Sequence, residues 1–100
     1  MRPLVDKGRG GGIATDRIMV DGEKIGYMVR EAPADRVDSG WAFFAGDETD
    51  EYLSDTDNVG VYQLNTIANF TPDIVPLLDA PVGSAYERNP TSGRLELVAK

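Results

Sequence analysis

Asp21-Gly22 is the strongest short turn signal in this chain, and it stands between two β-prone segments, Ile13 to Val20 and Ile25 to Arg30. A turn of that kind predicts an antiparallel hairpin. In its second strand Ile25, Tyr27 and Val29 would share one face, and Gly26, Met28 and Arg30 the other. The rest of the chain is punctuated on the same short scale. Ala32-Pro33-Ala34-Asp35 reads as a loop, Trp41 to Ala45 as a strand ended by Gly46, and Val59 to Leu64 as a further strand. Val82 to Glu87 and Arg94 to Val98 read as a closing pair of strands around Asn89-Pro90-Thr91-Ser92-Gly93, with Leu95 and Leu97 on one face.

Helix signals are equally brief. Asp47 sits where an N-cap is expected, with Glu48, Asp50 and Glu51 in the first turn, where free N–H groups and the helix dipole favour negative charge. Asn65 is a candidate cap for a short helix through Asn69. Thr71-Pro72-Asp73 supplies a cap, a proline at the first helical position and an acid, while Pro76 limits this helix to one or two turns. Gly83 marks a close backbone approach or a bulge. The sum is an α+β fold, a mainly antiparallel β-sheet with two or three short helices. With 100 residues, 41% hydrophobic and 27% charged, one domain is expected, residues 13–100, preceded by a flexible Gly-rich lead over residues 1–12.

The charge distribution is uneven. Between Arg36 and Arg88 there are ten acids and no Lys or Arg, a local net charge of −10; the remainder holds seven acids and ten bases, net +3. Seven of the eight aromatics, all but Tyr27, lie in the acidic interval. Its densest part, Gly40 to Asp55, combines Trp41, Phe43 and Phe44 with Asp47, Glu48, Asp50, Glu51 and Asp55. Capping accounts for the acids nearest the helix start but not for Asp55 and Asp57, which belong to the turn Ser54-Asp55-Thr56-Asp57-Asn58 and favour local side-chain to backbone hydrogen bonds.

Several chemistries are disfavoured. The chain has no Cys and no His, so disulfides, thiolate chemistry and imidazole catalysis are absent; general bases and nucleophiles reduce to carboxylates, Lys, Tyr and Ser, none with a partner signature. Asp55-Thr56-Asp57-Asn58-Val59-Gly60 matches a calcium loop at its first, third and sixth positions but has Val59 at the fifth and Thr66 at the twelfth. Gly8-Arg9-Gly10-Gly11-Gly12 has too little positive charge for an RNA-binding arm and lacks the ending of a phosphate loop. No cofactor, nucleic acid or membrane partner is implied. Without a signal-peptide core or a spanning segment, the cytoplasm is the expected location.

A dense carboxylate field suits a basic protein partner, because it speeds encounter and aligns docking while neighbouring aromatics supply anchors. The bland alternative is a solvated acidic face. The candidate partner-binding residues are Trp41, Phe44, Asp47, Glu48, Asp50, Glu51, Tyr52, Asp55 and Asp57. Trp41 is weighted toward the core, since its strand alternates. Phe43 and Phe44 face opposite sides, so one is exposed if only one sheet face is covered.

Four stretches carry a resemblance: Gly26-Tyr27-Met28, the block from Gly40-Trp41 to Tyr52-Leu53, Leu64-Asn65-Thr66-Ile67, and Pro76-Leu77-Leu78 leading to Gly83-Ser84-Ala85. Together they resemble the immunity protein 33 domain family of bacteria over roughly residues 13–88. The resemblance implies an α+β fold and a non-enzymatic protein that binds and neutralises a cognate polymorphic toxin. An interaction domain with a housekeeping role and a carboxylate-metal hydrolase are the alternatives.

Overall fold

The uneven alternation along the strands divides the protein into a covered and an open sheet face. The computed structural model describes residues 3–5, 10–32 and 38–98. Its strands are β1 (Gly11–Thr15), β2 (Tyr27–Arg30), β3 (Asp38–Phe44), β4 (Val59–Gln63), β5 (Ala85–Arg88) and β6 (Leu95–Leu97). They form one sheet in the order β4-β1-β3-β2-β5-β6, antiparallel at every junction except β1–β3. Among the described residues, three short helices, α1 (Asp16–Met19), α2 (Asp50–Ser54) and α3 (Leu64–Phe70), and two 3-10 segments, Thr56–Asn58 and Pro72–Leu77, join the sheet in an α+β fold. None of these helices is long and apolar enough to cross a membrane.

Trp41 and Phe43 alternate along β3 and point to the covered face, where Ala14, Met28, Ile67, Ile74 and Leu78 pack around them. Their rings stack at 6.1 Å, and the Trp41 indole N–H donates to Leu78 O at 3.1 Å, so the one polar atom of the buried ring is satisfied. Burying a side chain of this size contributes about 2–3 kcal/mol. The intervening positions face the other way. Phe44 pairs with Tyr27 across β2–β3, Ala42 with Val29, and Ile13 with both Ala42 and Val61; none of these belongs to the core cluster. Phe43 is fully buried and Phe44 half-buried, as their opposite orientations require.

The expected hairpin at Asp21-Gly22 does not form. After Thr15 the chain turns into α1, and the Val20 and Asp21 N–H groups both return to Asp16 O, at 2.8 and 2.9 Å. Gly22 donates to Ile18 O and adopts φ 78°, closing a helical turn rather than a two-residue hairpin. Asp16-Arg17 interrupts the apolar alternation that a strand through Val20 would need, and a helical turn buries Ile18 completely. β1 and β2 are consequently not neighbours, since β3 lies between them. Ile25, expected to share a strand face with Tyr27 and Val29, precedes β2 and belongs to the core instead.

The expected caps also differ. Thr49, not Asp47, caps α2, accepting from the Tyr52 N–H at 3.1 Å. Asn65 lies inside α3, and its Oδ1 accepts from the Leu4 and Val5 N–H groups at 2.7 and 3.0 Å, tying those residues to the helix. The Thr71 hydroxyl accepts from Ile25 N–H at 3.4 Å and makes no cap bond to the 3-10 segment behind it. Of the Gly-rich lead, Met1, Arg2 and Asp6 to Arg9 lie outside the described residues, as do Pro33 to Asp35 of the expected loop; Gly11 and Gly12 are part of β1. Gly83 has φ 96° and its N–H reaches Arg30 O at 2.6 Å, the close approach expected of it.

Candidate interaction surface

The acidic block begins where β3 leaves the sheet. Gly26 and Ala45 lie so close that a Cβ on Gly26 would come within 2.1 Å of Ala45 O, and Gly46 turns the chain at φ 103°. This turn aims Glu48 back at the sheet. Its carboxylate accepts from the Thr15 hydroxyl at 2.6 Å, the Ala45 N–H at 2.7 Å and the Gly46 N–H at 2.8 Å. Partial burial pushes the Glu48 carboxyl up, but the Thr15 and backbone hydrogen bonds outweigh it and leave the group below its ordinary range.

Asp47 faces α1. Its two oxygens meet Nε and Nη2 of Arg17, which also holds Asp21 at 3.1 Å. The Arg17 hydrogen bond holds the Asp47 carboxyl below its ordinary range, and the Asp47 and Asp21 bonds raise the guanidinium further. Asp47 and Glu48 therefore lock the loop to α1 and β1.

Beyond Thr49 the carboxylates change character. Asp50 and Glu51 are exposed in the first turn of α2, which contains no basic and no buried residue. Asp55 caps the following 3-10 turn, accepting from Asp57 N–H at 3.0 Å, and Asn58 Nδ2 donates to Tyr52 O at 3.1 Å. Asp50, Glu51, Asp55 and Asp57 make no ion pair among the described residues. Tyr52 is half-buried beside them; burial, then the Asp16 and Asp21 charges, raises its hydroxyl above the ordinary value.

An open groove of about 1020 Å³ runs along this flank on the uncovered side of the sheet. Tyr27 and Phe44 form part of its floor, with ring centroids 6.1 Å apart and planes tilted by 39°, and Leu53, Glu23, Lys24, Glu87 and Arg88 also line it. The groove thus combines aromatic surface with charges of both signs, and Asp50, Glu51, Asp55 and Asp57 lie outside its lining, on the α2 side of Leu53. Among the described residues no cluster of three or more acids converges as metal ligands would.

Comparison with known families gives a match to the model described as Immunity protein Imm33 domain, over residues 12–98. The chain belongs to the Imm33 immunity-protein family. No match was found among curated proteins or among solved structures. The Imm33 match runs from the second residue of β1 through β6 and so includes the whole acidic block and the groove.

Within this Imm33 domain the candidate residues divide. Phe44, Asp50, Glu51, Tyr52, Asp55 and Asp57 lie at the surface around α2 and the groove, whereas Asp47 and Glu48 are spent on internal bonds. Trp41 leaves the partner-binding set: it is 1% exposed, because its position on β3 faces the core. Tyr27 and Leu53 line the groove but were not among the residues expected at the surface. The alternation Tyr27, Val29 against Ala42, Phe44 carried the signal for Tyr27, but it becomes visible only once β2 and β3 are in register.

Proposed function

We propose that this Imm33 domain acts by binding, without catalysis, neutralising a cognate basic toxin in the cytoplasm of a bacterial cell. The observation that carries this reading is the set of four carboxylates, Asp50, Glu51, Asp55 and Asp57, that the fold leaves without cationic partners among the described residues, beside the Tyr27–Phe44 groove. Family membership supplies the class of partner. A toxin that acts on nucleic acid or another polyanion has a positive active site, so this surface is complementary in sign to the part of it that needs covering. Phe44 and Tyr27 provide the apolar contact that charge alone does not.

The test is a search beside this gene for a toxin-like reading frame, co-expression with the product of any such frame, and stopped-flow association of the purified pair. The wild-type chain should restore growth and associate faster at low salt. Replacing Asp50 and Asp57 together with Glu51 and Asp55 by their amides should slow association about tenfold and flatten its salt dependence, with dissociation little changed. Unchanged association kinetics would remove this surface from the mechanism. Failure of the wild-type chain to protect would remove the immunity reading itself.

A further inference from the structure

β4 is one of the two outer strands of the sheet, and Val59-Gly60-Val61-Tyr62-Gln63 contains neither a charge nor a proline. Outer strands usually carry such residues, because their unpaired backbone groups otherwise recruit other chains. β6, at the opposite edge, follows that practice: it has three residues, with Glu96 in the middle and Arg94 just before it.

The direction of the β4 backbone follows from one bond. Leu64 N–H donates to Gly10 O at 3.1 Å, continuing the ladder in which Gly12 opposes Tyr62 and Ala14 opposes Gly60. Hydrogen-bonded pairs alternate along an antiparallel ladder, so Tyr62 and Gly60 bond to β1 while Val61 and Gln63 point their N–H groups away from it. The Val59 N–H, which also points away, is taken by Thr56 O. No hydrogen bond from the described residues reaches the N–H groups of Val61 and Gln63 or the Val61 carbonyl.

Side chains and charge add to this edge. On the open face Val29, Ala42, Ile13 and Val61 form a row in register across four strands, ending at Val61, which is 79% exposed. Asp55 and Asp57 immediately precede the strand. We propose that β4 accepts an antiparallel strand of the toxin, apolar beside Val61 and carrying Lys or Arg at the end that reaches Asp55 and Asp57. That a toxin owns the strand rests on the immunity reading; the capacity of the edge does not. A second copy of this chain would bring a further net charge of −7 to the same edge, so charge favours the basic strand.

A synthetic peptide of about ten residues, alternating Val and Thr and ending in three Arg, is long enough to span β4 and supplies a probe independent of any toxin. At roughly millimolar peptide, hydrogen exchange at the Val61 and Gln63 amides should slow about tenfold. Replacing the Arg residues by Glu should abolish the effect, as should methylating the alternate peptide amides. Val61→Pro removes the outward N–H without touching the β1 ladder, and should lose binding while keeping its melting temperature. The proposal is overturned by an absence of protection at β4, by spectral changes confined to α2, or by protection that rises with protein concentration without peptide, which would assign the edge to a second copy. If the peptide seats but the toxin is not neutralised, the immunity reading fails and the edge stands. If Val61→Pro neutralises the toxin as well as wild type, the edge proposal fails alone.

Discussion

The two halves of the acidic block differ in what the fold asks of them. Asp47 and Glu48 meet Arg17, Thr15 and two backbone N–H groups, whereas Asp50, Glu51, Asp55 and Asp57 meet no cation among the described residues. The same residue types within eleven consecutive positions thus serve as internal fasteners on one side of Thr49 and as a solvent-facing field on the other. Negative charge in a sequence is informative about docking only after the acids that hold the fold together have been subtracted.

The largest test of that division is Glu48→Ala, which strands the Thr15, Ala45 and Gly46 donors. Discounted for the partial exposure of the site, the loss should be about 1–2 kcal/mol, read as a lower urea midpoint at unchanged slope. Glu51→Ala should stay within about 0.5 kcal/mol of wild type. Equal effects would erase the distinction. The pH dependence has a definite sign. Both fastening carboxyls are held below their ordinary values of 4.5 for Glu48 and 3.8 for Asp47, so their contribution is complete above those values and is lost as pH falls below them toward the folded-state values. Urea midpoints measured from neutral to acid pH should therefore fall less steeply in Glu48→Ala than in wild type.

Next in size is Thr49→Ala. Removing an N-cap costs about 1 kcal/mol of helix stability, but α2 buries no residue, so the loss should be local. Hydrogen exchange at Tyr52 and Leu53 should quicken about fivefold with the global melting temperature nearly constant. If the toxin-binding reading holds, association should also weaken, because Asp50 and Glu51 would no longer be presented on a fixed turn. A global loss of stability would show instead that α2 is a structural element, and would blur the line drawn at Thr49.

How much of the molecule was legible in its sequence depends on the range of each interaction. The strand from Val59, the opposite facing of Phe43 and Phe44, and the local bonds of Asp55 to the next turn all depend on neighbours a few residues away. The Asp21-Gly22 hairpin failed because a turn signal does not reveal whether its flanks will pair, and β1 found its partners in β3 and β4. Asn65 was legible as structural but not as a tether for Leu4 and Val5, some 60 positions earlier. Glu48 looked like its neighbours, since its fastening role depends on Thr15, 33 positions away.

The smallest effect concerns Asp47, and it separates the two halves by their response to salt. Asp47 is exposed and Arg17 only half-buried, so their bidentate pair competes with water and with mobile ions even though its geometry is good. Asp47→Asn should lower the melting temperature slightly at low ionic strength, and the difference should vanish near 1 M salt, where the screening length is about 3 Å. Asp57→Asn should do the reverse. Removing one member of an unpaired acidic field relieves repulsion, so this variant should be slightly more stable than wild type at low salt and indistinguishable from it at high salt. Opposite signs for two Asp→Asn changes only ten positions apart would separate fastener from field on electrostatics alone. Identical signs would mean that Arg17 compensates the whole block, leaving no unbalanced surface to attract a partner.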